Sequence, residues 1–234
     1  ISSIVLLLPM LWYRCQSNSS TAIRLSYNSR MSETNSRTIE SYNGHIQEYL
    51  DGTPQEVSGV VKEWIDRTFA DVPKDAHILE FGSAFGRDAA YLQDQGYHVH
   101  CTDATSAFVD LLQEKGFDAS VLNAITDELP QDIDVVLANA VLLHFTRDEA
   151  IAVIGKVHNA LSPGGTFAFT LKQGEGEEWS EEKLGAPRFF TYWTDEQIRA
   201  ALTSTGFDDI SVWGDRVGAR DVKWLQIIAK KAEV

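Results

Sequence analysis

Past Gln55 the apolar positions recur with two periods in turn. Val57, Val60, Val61, Trp64, Ile65 and Phe69 fall at helical spacing within residues 55–69 and predict an amphipathic helix that Pro73 closes. Residues 77–81 (HILEF) read as a strand, then a glycine-bearing turn and a helix over 88–95. Strands follow at 97–102 (YHVHCT), 119–122, 133–138 (IDVVLA) and 166–171 (TFAFTL). Helices over 106–115, closed by Gly116, and 147–161, capped around Thr146, separate them. Ser162-Pro163-Gly164-Gly165 stops the second of these helices. Strands alternating with helices predict a parallel sheet covered on both faces, and right-handed crossovers leave the doubly wound α/β topology. The tail breaks this rhythm. A helix over 194–205 ends at Gly206, and strands at 210–213 and 223–229 follow with no helix between them, so they pair antiparallel.

The first 37 residues do not fit this pattern. Residues 1–13 (ISSIVLLLPMLWY) form an apolar run interrupted by Pro9, shorter than the roughly 20 residues that span a bilayer. Residues 16–37 are rich in Ser, Asn, Thr and Arg and are expected to be disordered. Residues 1–37 are therefore read as a disordered leader or a mis-assigned upstream segment, with Met31 as an ordinary cytosolic start, and residues 38–234 as the folded domain. A secretion signal or membrane anchor is the alternative, weakened because Arg14 follows the apolar run rather than preceding it.

Charge narrows the partners. The chain of 234 residues holds 34 Asp and Glu against 20 Lys and Arg, a formal net charge of -14. Without the first thirty residues, which carry three arginines and no acid, the balance is -17. That demotes nucleic acid, whose phosphates call for a basic footprint. Two cysteines, Cys15 and Cys101, exclude a disulfide scaffold or a four-cysteine zinc site, and no histidine–carboxylate motif suggests another metal. Cys101, inside an apolar strand, reads as a core thiol in a reducing, cytoplasmic compartment.

Ligands of doubly wound sheets bind at the carboxyl ends of the strands. At the first such end stands Glu80-Phe81-Gly82-Ser83-Ala84-Phe85-Gly86, where Gly82 permits a tight turn and Gly86 lets backbone approach a ligand at a helix start. Asp103 follows the second strand, 21 residues beyond Gly82. A carboxylate there accepts both hydroxyls of a ribose, or else caps the next helix. Together they point to an adenosine-containing cofactor. The dinucleotide pattern G-x-G-x-x-G needs glycines at 82, 84 and 87, where this chain has Gly82, Ala84 and Arg87, and no triphosphate loop G-x-x-x-x-G-K-[ST] occurs.

In these residues the chain resembles the class I S-adenosylmethionine-dependent methyltransferases. Glu80 to Gly86 corresponds to that family's first motif, with Ala84 at its middle glycine. Asp103, Leu122-Asn123-Ala124, residues 134–139 (DVVLAN) and Leu161-Ser162-Pro163-Gly164-Gly165 follow in order, and the resemblance spans residues 38–231. It implies a seven-stranded, mostly parallel, Rossmann-like sheet with a C-terminal antiparallel strand pair, and S-adenosylmethionine as cofactor. It further implies that Gly82, Ser83, Ala84 and Gly86 pack on the methionine part, with Glu80 orienting that loop or the cofactor's amino group. Asp103 would bind the ribose, Ala104, Asn123 and Ala124 border the adenine, and Asn139 and Ala140 line the floor. Tyr42 lies where relatives fold an aromatic over the cofactor, or simply packs.

Methyl transfer from a sulfonium needs alignment above all, and a base only where the acceptor must lose a proton. His144, just after the fourth strand, is the candidate base; its alternative is a structural histidine. The insert over 172–193 contains five glutamates and then Arg188, Phe189, Phe190, Tyr192 and Trp193, and is expected to be a solvated loop ending over the acceptor pocket. Arg188 and Tyr192 are the candidate acceptor contacts, although Arg188 could pair with a glutamate and Tyr192 with the core. The expected acceptor is a small molecule. A tRNA-modifying enzyme remains an alternative on the late basic residues Arg216, Arg220 and Lys223, as does a non-catalytic cofactor-binding protein.

Overall fold

In the computed structural model, residues 31–216 and 223–233 are described. Helices α1 (Glu33–Gly44), α2 (Ile46–Asp51) and α3 (Gly59–Thr68) lead into an alternating series: β1 (Ile78–Phe81), α4 (Arg87–Asp94), β2 (Val99–Asp103), α5 (Ser106–Glu114), β3 (Ala119–Val121) and β4 (Ile133–Ala138). A 3-10 turn (Leu142–His144), α6 (Arg147–Ala160) and β5 (Leu161–Lys172) come next. Then follow β6 (Glu177–Ser180), β7 (Arg188–Thr191), α7 (Asp195–Ser204), β8 (Phe207–Arg216) and β9 (Lys223–Lys231). Seven strands form one sheet in the order β3-β2-β1-β4-β5-β9-β8. Pairings from β3 to β5 are parallel, whereas β9 runs antiparallel to both β5 and β8, as the tail of the sequence predicts.

Strand alternation builds two cores. Leu79, Phe81, Val136, Ala138, Phe167 and Phe169 point to one face and pack with Val153, Ile154 and Val157 of α6 and Ile198 and Leu202 of α7. Their neighbours Ile78, Val135, Leu137 and Ala168 point to the other and meet Trp64 and Ile65 of α3 and Ala89 and Leu92 of α4. A period of two with both faces buried is the signature of a sheet covered on both sides. Trp64 fixes α3 further by donating its indole N–H to the carbonyl of Ile227 in β9, 3.1 Å away. Among the described residues, no helix is long and apolar enough to cross a membrane.

Two expectations are corrected. The segment read as disordered through Arg37 is helical from Glu33, because Ser32 caps α1 by accepting the N–H of Asn35 and Glu33 sits favourably in the first turn. The insert read as a solvated loop is ordered instead: β6 and β7 pair antiparallel, which uses the backbone groups of Glu177–Ser180 and seats Phe189 and Phe190 in the interior. Residues 1–30, with the expected leader, lie outside the described residues, as does Arg220.

Candidate active site

The loop from β1 to α4 is bent by three successive left-handed turns of backbone, at Gly82 (φ 61°), Ala84 (φ 49°) and Gly86 (φ 85°). A Cβ on Gly82 would stand 2.5 Å from Val141 Cγ2, so this glycine is required by conformation and by space. At Gly86 a Cβ would meet Phe117 at 2.8 Å and Leu112 at 2.9 Å. Gly86 therefore serves the packing of the loop against α5 and its following turn, and it lines neither of the cavities described below. Ala84 takes the left-handed conformation with a side chain, which costs roughly 1–2 kcal/mol. Its N–H donates to Asp103 Oδ2 at 3.0 Å, an anchor that holds it there.

Asp103 ends β2 opposite this loop. Its Oδ1 accepts from the N–H of Thr105 at 2.8 Å, and Thr105 rather than Asp103 is the helix cap of α5. Each carboxylate oxygen thus holds one backbone donor, and the Thr105 side chain acts on the carboxylate as well. Burial raises the Asp103 pKa against the hydrogen bonds from Thr105 and Ala84.

Two neighbouring cavities share Tyr49, Gly82, Ala84, Asn139 and Ala140. The first, about 90 Å³, is bordered by Asp103, Ala104, Asn123, Ala124, Tyr42 and His144. The second, about 200 Å³, is bordered by Glu80, Ser83, Asp88, Thr170, Lys183 and Gln226. Twelve of the fifteen named candidates thereby come to the mouth of the sheet in one or both. Gly86, Arg188 and Tyr192 do not border them. Tyr192 turns away, its hydroxyl donating to Glu178 Oε1 at 2.6 Å.

The second cavity is rich in unmatched acceptors. Glu80 is 2% exposed, and its Oε2 is buried with no hydrogen-bond partner; Gln226 Oε1 is likewise without one. Burial, then the neighbouring Asp88, pushes the Glu80 carboxyl up to about 8. Asn139 is held rigidly beside them: its amide donates to Asp88 Oδ2 at 2.7 Å and its oxygen accepts from Thr170 Oγ1 at 2.8 Å. Ala140 is also left-handed (φ 59°) and donates its N–H to Thr170 Oγ1. Asn123 is tied to α1, its amide donating to Asn35 Oδ1 at 2.7 Å, while its oxygen accepts from Ile125 N–H.

His144 sits between two partners. Its Nδ1 is 2.7 Å from the carbonyl oxygen of Phe189, which only accepts, so Nδ1 carries the proton. The bare Nε2 then accepts from the Tyr42 hydroxyl at 2.9 Å. Burial, opposed by the Phe189 carbonyl and reinforced by Arg188, Lys172 and Lys183, lowers the His144 pKa to about 3. A base with that pKa and an occupied lone pair takes a proton poorly at neutral pH. The hydroxyl of Tyr42 in turn accepts from Arg188 Nη1 at 3.3 Å, and burial raises its own pKa.

Sequence reasoning missed Tyr49, Phe108, Asp88, Thr170 and Gln226. Asp88 and Thr170 lay next to quoted motifs; Tyr49 and Gln226 carry no local signal, since their place depends on α2 and on the β5–β9 register.

Residues 79–167 match a family described as a methyltransferase domain. No curated protein sequence matches the chain. Among solved structures, the fold is similar to the 1,6-didemethyltoxoflavin-N1-methyltransferase of Burkholderia thailandensis, determined with 1,6-didemethyltoxoflavin and S-adenosylhomocysteine. That likeness has 19% identity and a TM-score of 0.64, over 84% of this chain and 86% of that one. It is similar too to phosphoethanolamine N-methyltransferase 2 of Haemonchus contortus with S-adenosyl-L-methionine (16% identity, TM-score 0.65, 81% of this chain and 57% of that one). The cyclase SpnF aligns equally well, at 14% identity and a TM-score of 0.65 over 85% of this chain and 96% of that one.

Proposed function

We propose that this chain, which carries a methyltransferase domain of the S-adenosylmethionine-dependent class, transfers the methyl group of S-adenosylmethionine to a small-molecule acceptor. The observation that carries the reading is the pairing of Asp103 with an orphaned Glu80 across one glycine loop. A buried carboxyl with a free oxygen calls for a cation, and the cofactor's α-ammonium is one. The carboxylate of Asp103, on the wall of the first cavity, suits the vicinal hydroxyls of a ribose. These residues fit the cofactor.

In this reading Asp103 holds the ribose, Ala104, Asn123 and Ala124 border the adenine, and Glu80 faces the amino group. Gly82, Ser83 and Ala84 form the loop under the methionine part, with Asn139 and Ala140 as its floor. When bound, S-adenosylmethionine supplies a methyl carbon on a positively charged sulfur, already activated for displacement. The chain contributes alignment and exclusion of water. His144, originally the candidate base, is better read as a positioning residue that orients the Tyr42 hydroxyl at the cavity wall. The free, buried thiol of Cys101 supports a reducing cytoplasmic setting.

Isothermal titration of the full chain with S-adenosylhomocysteine, with NADH as control, tests the assignment. Micromolar binding of the former alone is expected, about -8 kcal/mol. Binding of NADH alone would overturn it.

A further inference from the structure

Arg188 begins β7 and is 6% exposed. A buried guanidinium carries five N–H donors and a full charge, and leaving it unmatched costs several kcal/mol, so such groups are paired as a rule. Here the matching is missing. Among the described residues no carboxylate forms an ion pair with it, and its Nε has no hydrogen-bond partner. Among the described residues, the acceptor it reaches is the Tyr42 hydroxyl, at a long 3.3 Å. The rings of Phe190 and Tyr42, at 5.1 Å and 5.7 Å from its Cζ, offer the charge a π-face and no acceptor.

The surroundings reinforce the charge. Arg188, Lys172 and Lys183 all act on His144 in the same sense. Tyr42 itself borders the first cavity, so the guanidinium stands one hydroxyl behind that cavity's wall. A group entering there meets a weak hydrogen bond that it can displace and, behind it, a guanidinium whose Nε has no partner.

We infer that Arg188 is the recognition residue for an oxyanion, carboxylate or phosphate, on the methyl acceptor. The inference deepens the methyltransferase reading and rests on it for the word acceptor. Arg188 matches a planar carboxylate or a phosphate through paired N–H···O bonds, which a lysine cannot reproduce. The buried site makes that pairing discriminating: a neutral isostere leaves the guanidinium as unmatched as before.

The test is a titration of the full chain, with and without S-adenosylhomocysteine, by benzoate, inorganic phosphate and the neutral benzamide. Benzoate or phosphate is expected to bind at least about tenfold more tightly than benzamide, and R188Q to lose that preference. Whichever of the two binds better assigns the oxyanion. R188K, which keeps the charge and loses the fork, serves if R188Q does not fold, and is expected to weaken the preferred anion about tenfold. Equal binding of benzamide, no anion binding, or a variant that keeps the wild-type preference would overturn the inference. Anion preference in the absence of any S-adenosylhomocysteine binding would sink the methyltransferase reading and leave Arg188 its role. Cofactor binding without anion preference would do the reverse.

Discussion

The two halves of the site are built differently. The half around Asp103 is local: β1, a five-residue loop, α4 and β2 lie within residues 78–103, and Asp103 reaches Ala84 only 19 positions back. The half around His144 is assembled from far apart. Tyr42 and His144 are separated by 102 positions, Arg188 and Tyr42 by 146, Phe189 and Thr38 by 151. The local half holds Asp103 with its own backbone N–H groups and leaves one oxygen of Glu80 open. The assembled half leaves the Nε of Arg188 open. Polar groups that a fold can satisfy internally are there to hold shape; those it leaves open mark where a ligand is to come.

That contrast can be broken first at Asp103. Asp103→Ala removes an acceptor from two backbone N–H groups and from the bound ribose. S-adenosylhomocysteine affinity is expected to fall about a hundredfold or more, some 3 kcal/mol, by titration. An unchanged affinity would reduce Asp103 to a structural tie. Next comes Gly82→Ala, which forces a side chain onto left-handed backbone and into Val141. Thermal unfolding should report a loss of about 2–3 kcal/mol.

In the assembled half the pH dependence is the sharper probe. His144 holds a folded pKa of about 3 against the ordinary 6.5. As pH falls below 6.5 the unfolded imidazole takes up a proton and the folded one does not. This share of stability is therefore complete above 6.5 and lost progressively toward 3. Thermal melts of wild type and His144→Gln should differ most above pH 6.5 and converge on acidification. A gap constant across that range would show that His144 is not held neutral. The smallest effect is expected at Ala84→Gly, a gain of at most about 1 kcal/mol in chemical denaturation, since glycine relieves the left-handed strain and keeps the N–H to Asp103.

Legibility in the sequence followed the same divide. Glu80, the glycine turn and Asp103 were readable because a strand, a tight turn and a second strand impose a spacing that survives without knowledge of anything distant. The sheet was readable from its two apolar faces. Helix α1 was not, because its sequence (ETNSRTIESYNG) is almost all polar and was counted as disordered. It docks through polar side chains: Asn35 accepts from Asn123 at 2.7 Å, Thr38 accepts from the Phe189 N–H at 3.1 Å, and Ser41 donates to the Pro187 carbonyl at 2.6 Å. Hydrophobic periodicity is blind to that kind of contact. The place of Tyr192 is hidden for a related reason, since Glu178, its partner across the hairpin, comes near only once β6 and β7 pair.

Glu80 waits, protonated, for the cationic end of the cofactor. With its carboxyl at about 8, Glu80 is largely neutral at pH 7 and must ionise when an ammonium arrives. Titrating S-adenosylhomocysteine at pH 7 in two buffers of different ionisation enthalpy measures the protons exchanged. The account predicts micromolar binding with about one proton released, and no release in Glu80→Gln. Binding of wild type without proton release, or release that persists in Glu80→Gln, would contradict it.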